Sequence, residues 1–258
     1  MTDSKEMVEY LESCTIPDGC VIGKLCSLSK PFNDFYSNER GKVKSSIRWL
    51  HNEKLREADQ ILPGELAEMC TSSQENVSII IHNNPAKISD APTIAHEIAH
   101  VIAKDEGYPF IGHYPGCVDR EVIYLCKNLG EMIHDPLVIK KLLSYGFNLQ
   151  KEYADDCVEG IKAIKKINKS GIERIRVTFF FTQLLLEQDL IFEDETNPCY
   201  EYIQKLGAEY PDIMAKSREI YRYINQIGYD TPRKVRIIFD KIFEIYPNLR
   251  DLTEIYQK

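Results

Sequence analysis

Thr93-Ile94-Ala95-His96-Glu97-Ile98-Ala99-His100 is the stretch around which the rest of this 258-residue chain is read. Apolar residues flank two His and one Glu, and Ser89 or Asp90 followed by Pro92 makes a helix start just upstream. The spacing predicts a helix running to about Asp105 and stopped by Gly107. Residues four apart on a helix lie over one another on one face. His96 and His100 can therefore direct two imidazoles at one metal ion, and Glu97, turned by about a third of a turn, can hold a water beside it. Burying two His and a Glu on an apolar helix is costly unless they are paired or ligated, so the apolar surroundings of the motif favour a ligand.

Outward from this helix, Asn76-Val77-Ser78-Ile79-Ile80-Ile81-His82 is the best strand signal, a β-branched run closed by Asn83-Asn84-Pro85. Val21-Ile22 and the Lys42 to Ile47 region are secondary strand candidates, so any sheet is small. Lys5 to Ser13 reads as a short helix followed by a Gly- and Pro-punctuated loop. Ser45 to Ile61 reads as a polar helix broken by Pro63-Gly64, with a short helix after it.

Gly107 to Gly116 is too rich in Gly and Pro for regular structure. A helix is expected from Val118 to His134, and Asp135-Pro136 opens another that ends before Gly146. Further helices are expected over Leu149 to Asn168, Gly171 to Glu187, Pro198 to Glu209, Pro211 to Ile227 and Thr231 to Ile245. There is no fixed-period repeat. The expected fold is α+β and mostly α-helical, divided for convenience into residues 1–148, which carry the motif, and a helical part, 149–258.

Composition narrows the function. A net charge of −8 argues against a general nucleic-acid binder, which needs local Lys and Arg for phosphates. The polar N-terminus lacks a signal-peptide core. Apolar stretches such as Val177 to Leu186 are interrupted by Thr and Gln and fall short of a membrane span; the expected compartment is the cytoplasm, with no membrane partner. The eight cysteines form no Cys-x-x-Cys pair and read as reduced, mostly buried thiols. Lys162, Lys165, Lys166, Lys169, Arg174 and Arg176 read as a solvated helix face. Phe179 to Leu186 reads as core.

Two His leave a catalytic zinc one protein ligand short. Glu131 is the best candidate for the third, with Glu121, His134 and His113 as others. Asp135, four residues after Glu131, can accept the free ring N–H of a ligand His, cap the helix before Pro136, or do both. His113 and Tyr114 are candidate oxyanion donors.

With these residues in place, His96-Glu97-x-x-His100 and the downstream Glu131-x-x-x-Asp135 resemble the gluzincin branch of the zincin metallopeptidases, the thermolysin-like arrangement. The resemblance covers about residues 76 to 136. It implies a zincin-like catalytic part with a small sheet beside the active-site helix. His96, His100 and Glu131 would ligate one Zn2+ per chain, Glu97 would be the general base, and Asp135 would stand behind a ligand. The strand Val77 to His82 would be the edge along which peptide substrates lie. The implied activity is hydrolysis of peptide or protein substrates. The chain departs from that group in the thirty residues, 101 to 130, between His100 and Glu131. It also has Gly130 where Asn usually precedes the ligand Glu. Two other readings stay open. One is a di-iron or di-manganese carboxylate site built from Glu97-x-x-His100 and Glu131-x-x-His134. The other is a catalytically silent zincin-fold binding module.

Overall fold

A computed structural model describes residues 13–51, 67–71, 76–81, 83–114, 117, 119–162 and 171–257. The protein is mostly helical with small sheets. Two compact units divide it, one formed by the chain up to Asp105 with Ser144–Phe147, the other by Glu106–Leu143 with the chain from Asn148 onward.

In the first unit, β1 (Thr15–Ile16) is followed by a π-helical turn, Gly19–Gly23, running into α1 (Lys24–Leu28) and then α2 (Lys30–Glu39). Ser29 caps α2 by accepting from the Phe32 amide at 3.3 Å, and Pro31 sits in its first turn, where a missing N–H costs nothing. Next come β2 (Ser46–Leu50), β3 (Ala67–Thr71) and β4 (Asn76–Ile81). The sheet order is β1-β2-β4-β3, with β2 parallel to β4 and the other pairings antiparallel. Val77, Ile79 and Ile81 bury one face of β4 with the two-residue period a half-covered strand requires.

A 3-10 turn, Ile88–Asp90, then opens α3 (Ala91–Asp105). The Asp90 carboxylate accepts from the Lys87 amide at 2.7 Å and from Asn83 Nδ2 at 2.8 Å, which fixes the chain's entry into the helix. Helix α2 packs on α3, and Phe35 meets the rings of Tyr145 and Phe147 edge-on. At the far end of α3, buried Asp105 accepts from the Lys44 amide, the Ser45 amide and Ser45 Oγ at 2.7–2.8 Å.

In the second unit, β5 (Phe110–His113) pairs antiparallel with β6 (Thr253–Tyr256). Between them lie α4 (Arg120–Ser144), α5 (Gln150–Lys162), α6 (Gly171–Ile191), α7 (Pro198–Glu209), α8 (Pro211–Ile227), α9 (Pro232–Ile245) and a closing 3-10 turn, Pro247–Asp251. Asn197 and Thr231 cap α7 and α9 through their side chains, and α7, α8 and α9 each begin on Pro. Phe179 and Phe181 of α6 are buried, and Ser217 Oγ of α8 donates to the Thr178 carbonyl at 2.9 Å, tying α8 to α6.

Several elements differ from the sequence reading. Ser46–Leu50 is a strand rather than the start of a polar helix, because a full parallel register with β4 satisfies its backbone. Ala67–Thr71 is a strand, not a short helix, for the same reason. Val21 and Ile22 lie in the helical turn, not in a strand. Phe110–His113, expected to be irregular, finds its partner at the far end of the chain. The two helices expected on either side of Asp135-Pro136 are one, α4. Pro136 cannot donate to the Met132 carbonyl, yet the buried stripe Leu125, Leu129, Met132, Pro136 and Ile139 runs unbroken through it. The predicted helices at Lys5 to Ser13 and beyond His51 lie almost wholly outside the described residues, as do Lys165, Lys166 and Lys169. Among the described residues, no helix is long and apolar enough to cross a membrane.

Candidate metal centre

Helix α3 is buried on most of its surface: Ile94, Ala95, Ile98, Ala99, Val101, Ile102 and Ala103 are all covered. Its less covered stripe carries Thr93, His96, Glu97 and Lys104, and buried His100 lies one turn beyond His96. Helical spacing sets His96 and His100 against each other, Nε2 to Nε2 at 2.9 Å, with ring centroids 4.6 Å apart. Only one of two nitrogens so close can carry a proton. An ion taking both lone pairs needs donors about 3 Å apart, from bonds of about 2.0–2.1 Å, so the pair matches the edge of a ligand set. His100 is 9% exposed, and imidazole is a neutral donor that tolerates such burial.

Glu131 and Asp135 lie on α4, one turn apart. The Glu131 carboxylate is engaged along its own helix by Lys127 Nζ at 3.6 Å and Asn128 Nδ2 at 3.4 Å. Asp135 Oδ2 accepts from Gln183 Nε2 of α6 at 2.9 Å, and the same nitrogen donates to Glu187 Oε1 at 2.8 Å. Two imidazoles on one helix supply two of the three protein ligands of a catalytic zinc, so the pair fits the ion the motif implies.

The other candidates have structural partners. His134, 2% exposed, donates from Nε2 to the Pro109 carbonyl at 2.9 Å and stacks on Phe110 at 4.1 Å, so it anchors β5. His113 donates from Nδ1 to the Tyr114 carbonyl at 3.0 Å, and the Tyr114 hydroxyl donates to the Arg250 carbonyl at 3.3 Å. Glu121 lies exposed in the first turn of α4. Strand β4, expected to be a substrate edge, is paired on both sides and is interior to its sheet. Among the described strands β3 has the unpaired side next to it, because the pairing of β2 closes the other.

Sequence reasoning passed over Gln183 and Glu187. The signal was present: two polar residues four apart interrupt a Phe- and Leu-rich helix, where an unsatisfied polar group is costly. Compared with known protein families, with curated proteins and with solved structures, the chain finds no match in any of the three. The gluzincin resemblance accordingly stands on the motif residues alone.

Proposed function

We propose that the protein is a zinc-dependent hydrolase of peptide bonds, with one ion per chain held by His96 and His100 and with Glu97 as general base. The carrying observation is the approach of His96 Nε2 and His100 Nε2 to 2.9 Å on the helix that also bears Glu97. By resemblance Glu131 would take the third position and Asp135 would stand behind it.

Bound zinc supplies a Lewis acid that polarises a carbonyl and makes a water acidic near neutrality. His96 and His100 present Nε2, which leaves each ring proton on Nδ1 once both lone pairs are engaged. Glu97, adjacent to His96, accepts a proton from the attacking water and returns it to the leaving amine. A peptide or protein chain is the substrate class this chemistry fits.

The reading is tested with Glu97→Gln, which keeps the size of the side chain and removes its basicity. The variant is expected to retain zinc while hydrolysis of a peptide-library substrate falls by about 10²–10⁴-fold. Full activity in the variant removes Glu97 from the base role.

A further inference from the structure

Cys157 of α5 and Cys199 of α7 lie in one buried cluster of the second unit, with Val177, Phe181, Ile203 and Met214 around them. They are 3% and 1% exposed, and neither is bridged. The two helices pack closely on each other. One turn beyond the cysteines, Gly160 of α5 meets the Tyr202 ring of α7, and a Cβ on that glycine would come within 2.7 Å of Tyr202 Cζ. The missing side chain is what lets the two helices approach so closely here. The two thiols hydrogen-bond to each other, which lowers the pKa of Cys157 and raises that of Cys199. Burial first, and then the charges of Cys157 and Cys199, hold the Tyr202 hydroxyl above its ordinary value, so both sulfurs stand near the same ring.

We propose that Cys157 and Cys199 are a redox site, at which a hydroperoxide closes a reversible disulfide that staples α5 to α7. The thiolate is the nucleophilic form of cysteine, and the Cys199 S–H steadies that of Cys157. The Cys157 thiolate attacks one oxygen of hydrogen peroxide, the O–O bond breaks, and the other oxygen leaves as hydroxide, which takes up the proton Cys157 gave away. Cys157 is then a sulfenic acid. The Cys199 sulfur attacks the Cys157 sulfur, its proton goes to the departing oxygen, and water leaves as the S–S bond forms. Two thiols lose two electrons, and one peroxide becomes two waters. Hydrogen peroxide is little larger than water, which suits it to a covered pair better than a bulky disulfide oxidant.

The full-length protein treated with hydrogen peroxide under native conditions, then denatured, alkylated and digested, tests the proposal by mass spectrometry. A peptide pair cross-linked through Cys157 and Cys199, and separated by dithiothreitol, is the expected product. The bridge closes a loop of about 40 residues in the unfolded chain. The oxidised protein is therefore expected to melt about 5 °C or more above the reduced one. In Cys199→Ser the second thiol is gone, and dimedone is expected to trap Cys157 as its sulfenic acid. Recovery of both cysteines as alkylated thiols overturns the proposal, as does their recovery as separate sulfinic acids or a bridge to a different cysteine. A bridged protein with an unchanged melting temperature overturns the staple. These wild-type measurements decide the matter whether or not the variant folds.

Discussion

At the scale of single residues, the site divides into a part written locally and a part written at a distance. His96, Glu97 and His100 lie within five residues of one another, and one helical turn suffices to bring two Nε2 atoms to 2.9 Å. That part was legible in the sequence because the period of the helix is known in advance. The candidates for a third donor are on another helix, more than thirty positions after His100. Chain order cannot choose between Glu131 and Asp135, which differ by one turn of α4. What separates them is their surroundings: Lys127 and Asn128 for Glu131, Gln183 for Asp135. By the resemblance, Glu131→Gln, which keeps the shape and removes the charge, is expected to weaken zinc binding by at least about tenfold. Isothermal titration of Glu131→Gln and Asp135→Asn decides the assignment, and a loss in Asp135→Asn alone would move the ligand role to Asp135.

At the scale of elements, α7, α8 and α9 were readable almost to the residue. Pro at the first position of α7, α8 and α9 and a capping side chain before α7 and α9 are local signals. The strands were not, apart from β4. Ser46–Leu50 has a composition that suits a helix as well as a strand, and only the register with β4 settles it. β5 depends on β6, about 140 residues later in the chain, and Gly112 within it is covered by the Tyr256 ring. Such pairing carries no signal in a local window. Pro136 misled in the opposite direction, since a proline reads as a break while the apolar stripe on either side carries α4 past it. One contact of this long-range kind bears directly on the motif helix. Asp105 closes α3 onto the segment before β2 through the Lys44 and Ser45 amides and the Ser45 hydroxyl. Asp105→Ala leaves those donors without their acceptor and is expected to destabilise the protein by at least about 2 kcal/mol in urea denaturation. A loss below about 0.5 kcal/mol, the scale of an ordinary surface substitution, would show that the contact is not needed.

At the scale of the whole molecule, ionisation adds a constraint on the conditions in which the protein stays folded. Burial, followed by the charges of Glu106 and Asp230, pushes the Tyr108 hydroxyl up to about 12, and it donates to the Asp230 carbonyl at 2.8 Å. Tyr145 is likewise pushed up to about 12, by burial and then by its hydrogen bond to Glu39. A folded-state value raised above the unfolded one gives stability that is complete below the unfolded pKa of about 10 and is lost as pH rises through the folded value. Stability is therefore expected to decline between about pH 10 and pH 12, and Tyr108→Phe, which cannot ionise, should flatten that decline in thermal melts; an unchanged slope would separate Tyr108 from it. The function proposed for the molecule depends on the ion more than on any such balance, and the most direct test is metal analysis of the full-length chain. Wild-type protein equilibrated with zinc and freed of excess is expected to hold close to one ion per chain, and His96→Ala and His100→Ala are expected to hold little or none. Wild-type protein without zinc, or both variants retaining it in full, would contradict the account.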